Sequence, residues 1–264
     1  MPSFRDNLIW LLVCTETGAA AAIDGPEAKS ALAYCETKGI ELSAVFNTHT
    51  HPDHIGINFG LLKTGRPLRV AGAKTRAKEI PGLNEGLEAG DTLTLGASTG
   101  RVLLTEGHID DHLSFVFEDV VFCGDTMFGA GCGYLFEGPP AKMMGSLAQL
   151  AELEGSTRVC CAHEYTEDNL RFAWSVEPDN DALAARIRDT WALRARGECS
   201  VPMTIELERA TNPFLRHHAP TLRKRVAAAF PDQTLKTDLE FFTATRALKD
   251  RKDHQSLTDA DLPL

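Results

Sequence analysis

The chain lacks the features that would place it in a membrane or outside the cell. No apolar run reaches the roughly 18 residues that suggest a membrane-spanning helix. The first 18 residues, MPSFRDNLIWLLVCTETG, hold a short apolar run with Asp6 just before it and no cationic lead. We therefore expect no signal peptide, no membrane partner and a cytoplasmic location.

The cysteine spacing of a redox or metal motif is also missing. The seven cysteines lie scattered at positions 14, 35, 123, 132, 160, 161 and 199 and form no Cys-x-x-Cys motif. An odd number of scattered cysteines argues against a disulfide framework. We expect buried, reduced thiols.

The chain has fewer positively than negatively charged residues. The 27 Lys and Arg residues are outnumbered by 37 Asp and Glu, which leaves a formal net charge of −10. Because phosphate binding needs a basic surface, we expect no nucleic acid partner.

The 264 residues can bury a large core, as one large domain or two modest ones.

Short apolar runs bounded by turn residues fill the first 165 residues and are typical of strands. These runs lie at 8–13, 19–24, 44–49, 69–73, 91–96, 101–107, 114–119, 120–125 and 158–163. Proline, glycine and apolar spacing predict helices at 25–39 and 140–155.

The pattern changes after residue 165. Apolar residues four apart predict helices over 181–197 and 219–230, and no convincing strand follows residue 166. The sequence therefore predicts a mixed α/β domain over 1–165 and a helical domain over 166–264.

Ligand-type side chains cluster in the segment THTHPDHIG, residues 48–56. They are His49, His51, Asp53 and His54. If the preceding strand stays extended into this segment, alternation points His49 and His51 to the same side. A proline then interrupts the strand, and Asp53 and His54 follow in a turn that can face a second point. Two pairs of ligands therefore suit two metal ions, for which imidazole and carboxylate favour zinc or iron.

Three more ligand-type residues follow apolar strands: His108, Asp125 and His163. Any one of them alone would usually be a structural polar residue. Together with the dense motif they predict a metal centre at one rim of a sheet. For His112, ligation, a hydrogen bond to a ligand and a purely structural role all stay open. We interpret His217, His218 and His254 as surface residues.

These motifs together resemble the metallo-β-lactamase superfamily, and more closely its glyoxalase II (hydroxyacylglutathione hydrolase) family. The motif His-x-His-x-Asp-His alone resembles only the superfamily. Four further segments are similar to the family: CGDTMFGAGCGYLFEG (123–138), AHEYTEDNLRFAWSVEP (162–178), TNPFLR (211–216) and TRALKD (245–250). The resemblance covers nearly the whole chain.

The resemblance implies an α/β fold, a metallo-β-lactamase αβ/βα sandwich followed by an α-helical C-terminal domain. It implies two divalent metal ions, zinc first, with iron or manganese as alternatives. The implied ligands are His49, His51 and His108 on one ion, Asp53, His54 and His163 on the other, and Asp125 between them, opposite a bridging water or hydroxide. Asp53 and Asp125 are also our candidate catalytic residues.

The implied substrate is a glutathione thioester, S-D-lactoylglutathione, bound by a monomer. Thioester chemistry suits such a centre, because a thiolate leaving group with a pKa of roughly 8.5 to 9 departs without a strong general acid. The chain has no Gly-x-Ser-x-Gly motif. We interpret Cys132 as a small buried residue and not as a nucleophile.

The resemblance implies that Arg246 and Lys249, three apart on a helix, clamp the glycine carboxylate of glutathione and that Tyr165 lines the same site. Without the resemblance, we would interpret Arg246 and Lys249 as part of a solvated basic run. Tyr134 stands where the family usually has a Lys or Arg, which predicts a looser hold on glutathione. Asp111 replaces a glycine, so we expect a different loop there.

Asn212 and Phe214 are expected to pack the domain interface. The alternatives are a persulfide dioxygenase with a single iron, another hydrolase of the same fold acting on a different thioester, and a non-catalytic binding protein. The dioxygenases resemble this chain only through the first domain. A non-catalytic protein would be expected to lack ligands, and none is missing here.

Overall fold

The computed structural model describes all of residues 1–264. The strands are β1 Pro2–Ser3, β2 Asn7–Leu8, β3 Trp10–Val13, β4 Ala20–Ile23, β5 Leu42–Phe46, β6 Arg69–Ala73, β7 Glu85–Leu87, β8 Thr92–Leu95, β9 Ser98–Leu104, β10 Leu113–Phe117, β11 Val120–Gly124, β12 Met127–Phe128, β13 Gly131–Cys132, β14 Arg158–Cys161 and β15 Met203–Thr204. The helices are α1 Lys29–Lys38, α2 Pro52–Leu62, α3 Pro140–Ala151, α4 Thr166–Val176, α5 Asp181–Ala195, α6 Ile205–Thr211, α7 Pro220–Ala229 and α8 Asp238–Asp250. No helix is long and apolar enough to cross a membrane.

Two sheets form the centre of the molecule. One has the strand order β3-β4-β5-β6-β7, and its last four strands run parallel. The other has the order β15-β14-β11-β10-β9-β8, in which β9, β11 and β14 run in the same direction. Several strands in each sheet therefore end at the same edge.

Both faces of each sheet are covered, which gives four layers. In β4, Ala21 and Ile23 face the core between the sheets, while Ala20 and Ala22 face α1 and α2. This follows from the two-residue period of a strand. The far face of the second sheet packs against α3 and the C-terminal helices. The fold is the expected metallo-β-lactamase sandwich with a helical C-terminal part.

Most of the predicted elements are present. Each of the nine predicted strand segments overlaps an observed strand, and the four predicted helices correspond to α1, α3, α5 and α7. The expectation of no strand after residue 166 is wrong, because the two-residue strand β15 pairs with β14 at the sheet edge. The 165/166 division stays a proposal.

The segment 48–56 departs from its prediction. The strand ends at Phe46, so His49 and His51 lie in a loop and not on an extended strand. Asp53 and His54 lie in the first turn of α2, not in a turn between strands. Proline occupies the first position of that helix, where its missing N–H costs nothing.

Candidate metal centre

The seven predicted ligand residues meet at the edge where strands of both sheets end. The loop after β5 and the first turn of α2 supply four of them, and the segments after β9, β11 and β14 supply one each. A backbone hydrogen bond from Leu113 N–H to the Thr48 carbonyl, 2.8 Å, joins the two sheets at this edge. Residues far apart in sequence therefore converge because their strands end together.

The first group consists of His49, His51, His108 and Asp125, whose ligand atoms all lie within 4.8 Å of one another. His108 Nε2 lies 3.0 Å from His51 Nδ1 and 3.4 Å from an oxygen of Asp125. Nitrogen lone pairs at this separation suit two ligands of one ion.

The second group consists of Asp53, His54 and His163, again within 4.8 Å of one another. Asp53 Oδ2 lies 3.4 Å from His163 Nε2 and 3.8 Å from His54 Nε2. The two groups are neighbours, since the ring centroids of His49 and His54 are 3.9 Å apart.

Asp125 lies between the groups. Its Oδ1 is 3.4 Å from His54 Nε2 and 3.5 Å from His163 Nε2, while its Oδ2 is 3.4 Å from His108 Nε2. One carboxylate oxygen therefore faces each group. This is the arrangement that a bridging carboxylate requires.

The outer ring nitrogens are held by the protein, which turns the inner ones toward the centre. His54 Nδ1 lies 3.0 Å from Asp24, and His163 Nδ1 lies 3.0 Å from Asp6. His108 Nδ1 lies 2.7 Å from the carbonyl oxygen of Tyr134. Such contacts fix the orientation of ligating histidines. Asp6 and Asp24 were not among the predicted site residues, although Asp24, like Asp125, directly follows an apolar strand.

The buried polar atoms test whether a metal fits. His49 Nε2, His54 Nε2 and Asp125 Oδ1 are buried and have no hydrogen-bond partner. Buried polar groups rarely stay without partners, and imidazole nitrogens and carboxylate oxygens are ligands of divalent transition metals. The residues fit two divalent ions.

The electrostatics around His54 and His163 favour positive charge, whereas burial lowers the pKa of His49, His51 and His108. Burial disfavours the charged forms, but Asp125 and Asp24 outweigh it and raise the pKa of His54 well above its ordinary value. Burial acts likewise on His163, and Asp125 and Asp53 raise its pKa to about 10. In turn His54 and His163 hold the pKa of the buried Asp125 carboxyl well below its usual range. A divalent ion would replace the protons on these rings.

His112 is not oriented as a ligand. Its Nε2 accepts a hydrogen bond from the Asp125 N–H at 3.2 Å, and its Nδ1 lies 3.1 Å from Thr105 Oγ1 and 3.2 Å from Thr126 Oγ1. Burial holds its pKa well below the ordinary value, so the ring is neutral and can accept that bond. His112 therefore positions the backbone of Asp125.

The prediction that His254 is a surface residue is wrong. It is 5% exposed, and its Nε2 lies 3.3 Å from Asp168 Oδ2. His217 is half-buried against Phe242, whereas His218 is exposed as expected. His254 lies after α8, and no sequence pattern marks it as buried.

A cleft of about 740 Å³ opens beside the centre, between the two parts of the chain. Its walls include all four predicted substrate-binding residues: Tyr134, Tyr165, Arg246 and Lys249. The solvated-run interpretation of the two cations is wrong, because they are only 6% and 8% exposed.

The aromatic residues of the cleft lie against the metal centre. The Tyr165 ring stacks on His163 with centroids 4.7 Å apart, and Tyr134 packs on Phe136 at 4.8 Å. Phe136 was not among the predicted site residues, and its ring lies edge-on to His51 and His108. Burial, with Asp6 nearby, raises the pKa of Tyr165, so its hydroxyl stays protonated.

The helical part holds the cleft loop in place. Asn212 donates to the carbonyls of Gly131 at 2.9 Å and Phe128 at 3.5 Å, and Phe214 is buried. Both residues therefore pack the interface, as expected. Cys132 is buried, and its carbonyl accepts from Arg246 at 3.2 Å. Burial raises the pKa of its thiol, which does not favour a nucleophile.

Asp111 has a backbone conformation that is uncommon for a residue other than glycine. Its φ is +62°, in the left-handed region that favours glycine. The side chain accepts a hydrogen bond from Arg76 Nε at 2.9 Å. The aspartate therefore forms an ion pair that a glycine could not form, and the expected difference in the loop stays a prediction.

Sequence comparison identifies the family. The profile described as "Metallo-beta-lactamase superfamily" matches residues 16–163, and the one described as "Hydroxyacylglutathione hydrolase C-terminus" matches residues 164–252. A hydroxyacylglutathione hydrolase of Gloeobacter violaceus is 43% identical, over 94% of this chain and 97% of that protein. The chain belongs to the hydroxyacylglutathione hydrolase family. It is thus a thioester hydrolase of the metallo-β-lactamase superfamily.

Solved structures with low sequence identity share the fold. ETHE1 from Myxococcus xanthus superposes with a TM-score of 0.61 at 22% identity, over 99% of this chain and 94% of that one. TTHA1623, solved in a di-iron-bound form, gives a TM-score of 0.56 at 24% identity, over 81% of this chain and 98% of that one. The sandwich therefore recurs in proteins of quite different sequence.

Proposed function

We propose that this chain hydrolyses S-D-lactoylglutathione to D-lactate and glutathione, as part of methylglyoxal detoxification. One observation carries the proposal: a centre for two ions lies beside a cleft whose wall holds two buried cations, Arg246 and Lys249. An S-acylglutathione has a thioester and two carboxylates, which suit the metal centre and the two cations respectively.

The proposed ligands follow the two groups of atoms. His49, His51 and His108 would hold one ion, Asp53, His54 and His163 would hold the other, and Asp125 would be shared by both. We propose zinc at both positions, with iron or manganese as alternatives. When bound, the two ions would supply Lewis-acid chemistry, which lowers the pKa of a bound water and polarises a carbonyl.

The chain's own residues prepare the reaction in three ways. Asp53 and Asp125 stay ionised, because nearby histidines outweigh the effect of burial and lower both carboxyl pKa values. Tyr165, stacked on His163, offers a protonated hydroxyl to the thiol carrier. Tyr134 supplies no charge, so the hold on the carrier rests on Arg246 and Lys249. The leaving thiolate needs no strong acid.

The alternative, a persulfide dioxygenase, lacks support from the C-terminal part. The match to the family over residues 164–252 includes both TNPFLR and TRALKD. These are the segments that the alternative is expected to lack.

The test is turnover of S-D-lactoylglutathione by the purified, metal-analysed protein, followed by thioester loss and free-thiol release. We expect turnover that a chelator abolishes and zinc restores. Absence of turnover in protein that contains two ions per chain would reject the substrate. Persulfides and other thioesters would then be tried.

A further inference from the structure

Lys249 is held by a carboxylate from another helix. Its Nζ donates to Asp168 Oδ2 at 3.3 Å, across from α8 to α4. The same oxygen lies 3.3 Å from His254 Nε2, and Gln255 Nε2 donates to Oδ1 at 3.2 Å. Asp168 thus joins the cleft to the segment after α8.

The amine of Lys249 needs such a partner. It is almost fully buried and lies 5.3 Å from the centroid of the Phe172 ring. A buried ammonium without a counter-charge is costly and tends to lose its proton. A lysine stem is also flexible, so a partner is needed to fix the charge in one place.

His254 and Gln255 in turn hold Asp168. His254 is 5% exposed and packs edge-on against Phe172, at a centroid distance of 5.3 Å. Its ring therefore has little freedom, and the carboxylate between it and Lys249 is fixed from behind. Two of the three ammonium protons of Lys249 stay available to a ligand.

We propose that Asp168 is a positioning residue that keeps the Lys249 ammonium charged and fixed at the cleft wall to receive the carboxylate of the thiol carrier. The carrier's identity rests on the proposed function. The inference that Asp168 holds Lys249 rests only on the contacts of Asp168 described above.

The consequence is a pH limit on carrier binding. Burial lowers the pKa of Lys249 to about 8, while Asp168 raises it, Arg246 lowers it and Cys132 raises it. His254 faces it only through Asp168. Since lysine is charged below its pKa, carboxylate binding should weaken as the pH rises through about 8. Loss of the Asp168 charge should move this limit to lower pH.

The first experiment measures Lys249 directly in the full-length holoenzyme. Acetic anhydride labelling of Lys249 is followed against pH by peptide mass spectrometry, in wild type, Asp168→Asn and Asp259→Asn. Asp259 is a matched control, because it also ties α4 to the C-terminal segment, through Arg171 at 2.7 Å, but outside the cleft.

We expect a wild-type labelling midpoint near 8. In Asp168→Asn it should fall by about one unit, the lower end of what an adjacent opposite charge contributes. The Asp259→Asn midpoint should stay at the wild-type value. An unchanged midpoint in Asp168→Asn would overturn the proposal. A wild-type midpoint near the ordinary lysine value of about 10.4 would also overturn the proposal. This measurement does not depend on the variant being folded.

The second experiment uses turnover. On S-D-lactoylglutathione at pH 8, Asp168→Asn should lower kcat/KM about tenfold, which corresponds to ~1.4 kcal/mol, with kcat little changed. On the same thioester with the glycine carboxylate amidated, the variant should match wild type. Equal losses on both substrates would mean a merely structural role and would sink the idea.

The two proposals fail separately. If wild type turns over no glutathione thioester, the proposed function is wrong, and the labelling midpoints still decide whether Asp168 controls Lys249. As a further check, Lys249→Arg should abolish the loss of kcat/KM near pH 8, because a guanidinium does not titrate there.

Discussion

Asp24 is an outer hydrogen-bond partner that serves both ligand groups of the metal centre. Its carboxylate accepts from the Thr48 N–H at 2.8 Å and the Thr48 hydroxyl at 2.7 Å, and it lies 3.0 Å from His54 Nδ1. The Thr48 hydroxyl is in turn 3.1 Å from His49 Nδ1. One carboxylate thus orients a histidine of each ligand group.

We predict that Asp24→Asn lowers metal affinity by about 10- to 100-fold, the usual loss when an outer partner of a ligand is removed. Competition with a chromophoric chelator measures this. Asp119→Asn is the control, because that acid pairs with Arg158 on the surface. Equal affinities in the variant and wild type would show that Asp24 does not orient the ligands.

His54→Ala tests the second ion. We predict that the metal content falls from two ions to one per chain and that thioesterase activity is lost, because His54 belongs to only one of the two groups. Elemental analysis and the turnover assay measure the two effects. His218→Ala, an exposed histidine outside the centre, is the control. A fully active His54→Ala protein would contradict the two-metal arrangement.

Residue types and spacing were enough to find all seven candidate ligands, because a dense motif and repeated strand-end positions can be read locally. Asp24 shares the strand-end position of Asp125, but its contact with His54 could not be read that way, nor could the contacts of Asp6 with His163 and of Asp168 with His254. Each depends on which distant elements become neighbours, and a single sequence carries no signal for that. The same limit applies to Phe136, whose place beside His51 follows from loop packing.

At the scale of elements, α2 shows where local pattern fails. Pro52 was interpreted as the end of a strand and is in fact the start of a helix. Gly56 and Gly60 also lower the helical propensity of the segment. The structure explains them by close packing: a Cβ at Gly56 would lie 2.2 Å from the Pro26 carbonyl oxygen, and one at Gly60 2.5 Å from Ala28 Cβ.

Gly56→Ala therefore sets two effects against each other. Helix propensity favours alanine by about 1 kcal/mol, but the clash involves backbone and cannot be relieved by a side-chain rotation. We predict net destabilisation, by roughly 1–3 kcal/mol as for other overpacked sites. Chemical denaturation in the presence of a chelator measures it without a contribution from bound metal.

Gly145 in α3 provides the control, because a Cβ there would meet nothing within 4 Å. Gly145→Ala should stabilise the protein by about 0.5–1 kcal/mol. If both substitutions shift the free energy of unfolding in the same direction, close packing at Gly56 is not what excludes a side chain.

At the scale of the molecule, the candidate ligands span residues 49–163 and come from both sheets. The sequence could predict that strands end beside each ligand, but not the strand order that brings those ends together. Nor could it place β15 at the edge of the second sheet, since a two-residue strand has no periodicity to detect.

Metal binding should therefore stabilise the whole fold, by an amount that depends on the number of ions bound. Ions that bind only the folded chain raise the free energy of unfolding by ~1.4 kcal/mol per tenfold increase in free metal for each ion bound. Denaturation midpoints in buffers of fixed free zinc measure the slope. Two ions predict about 2.7 kcal/mol per decade. A slope of about 1.4 kcal/mol per decade would mean a single ion and would favour the dioxygenase alternative. The absence of any slope would contradict the proposal of a metal centre.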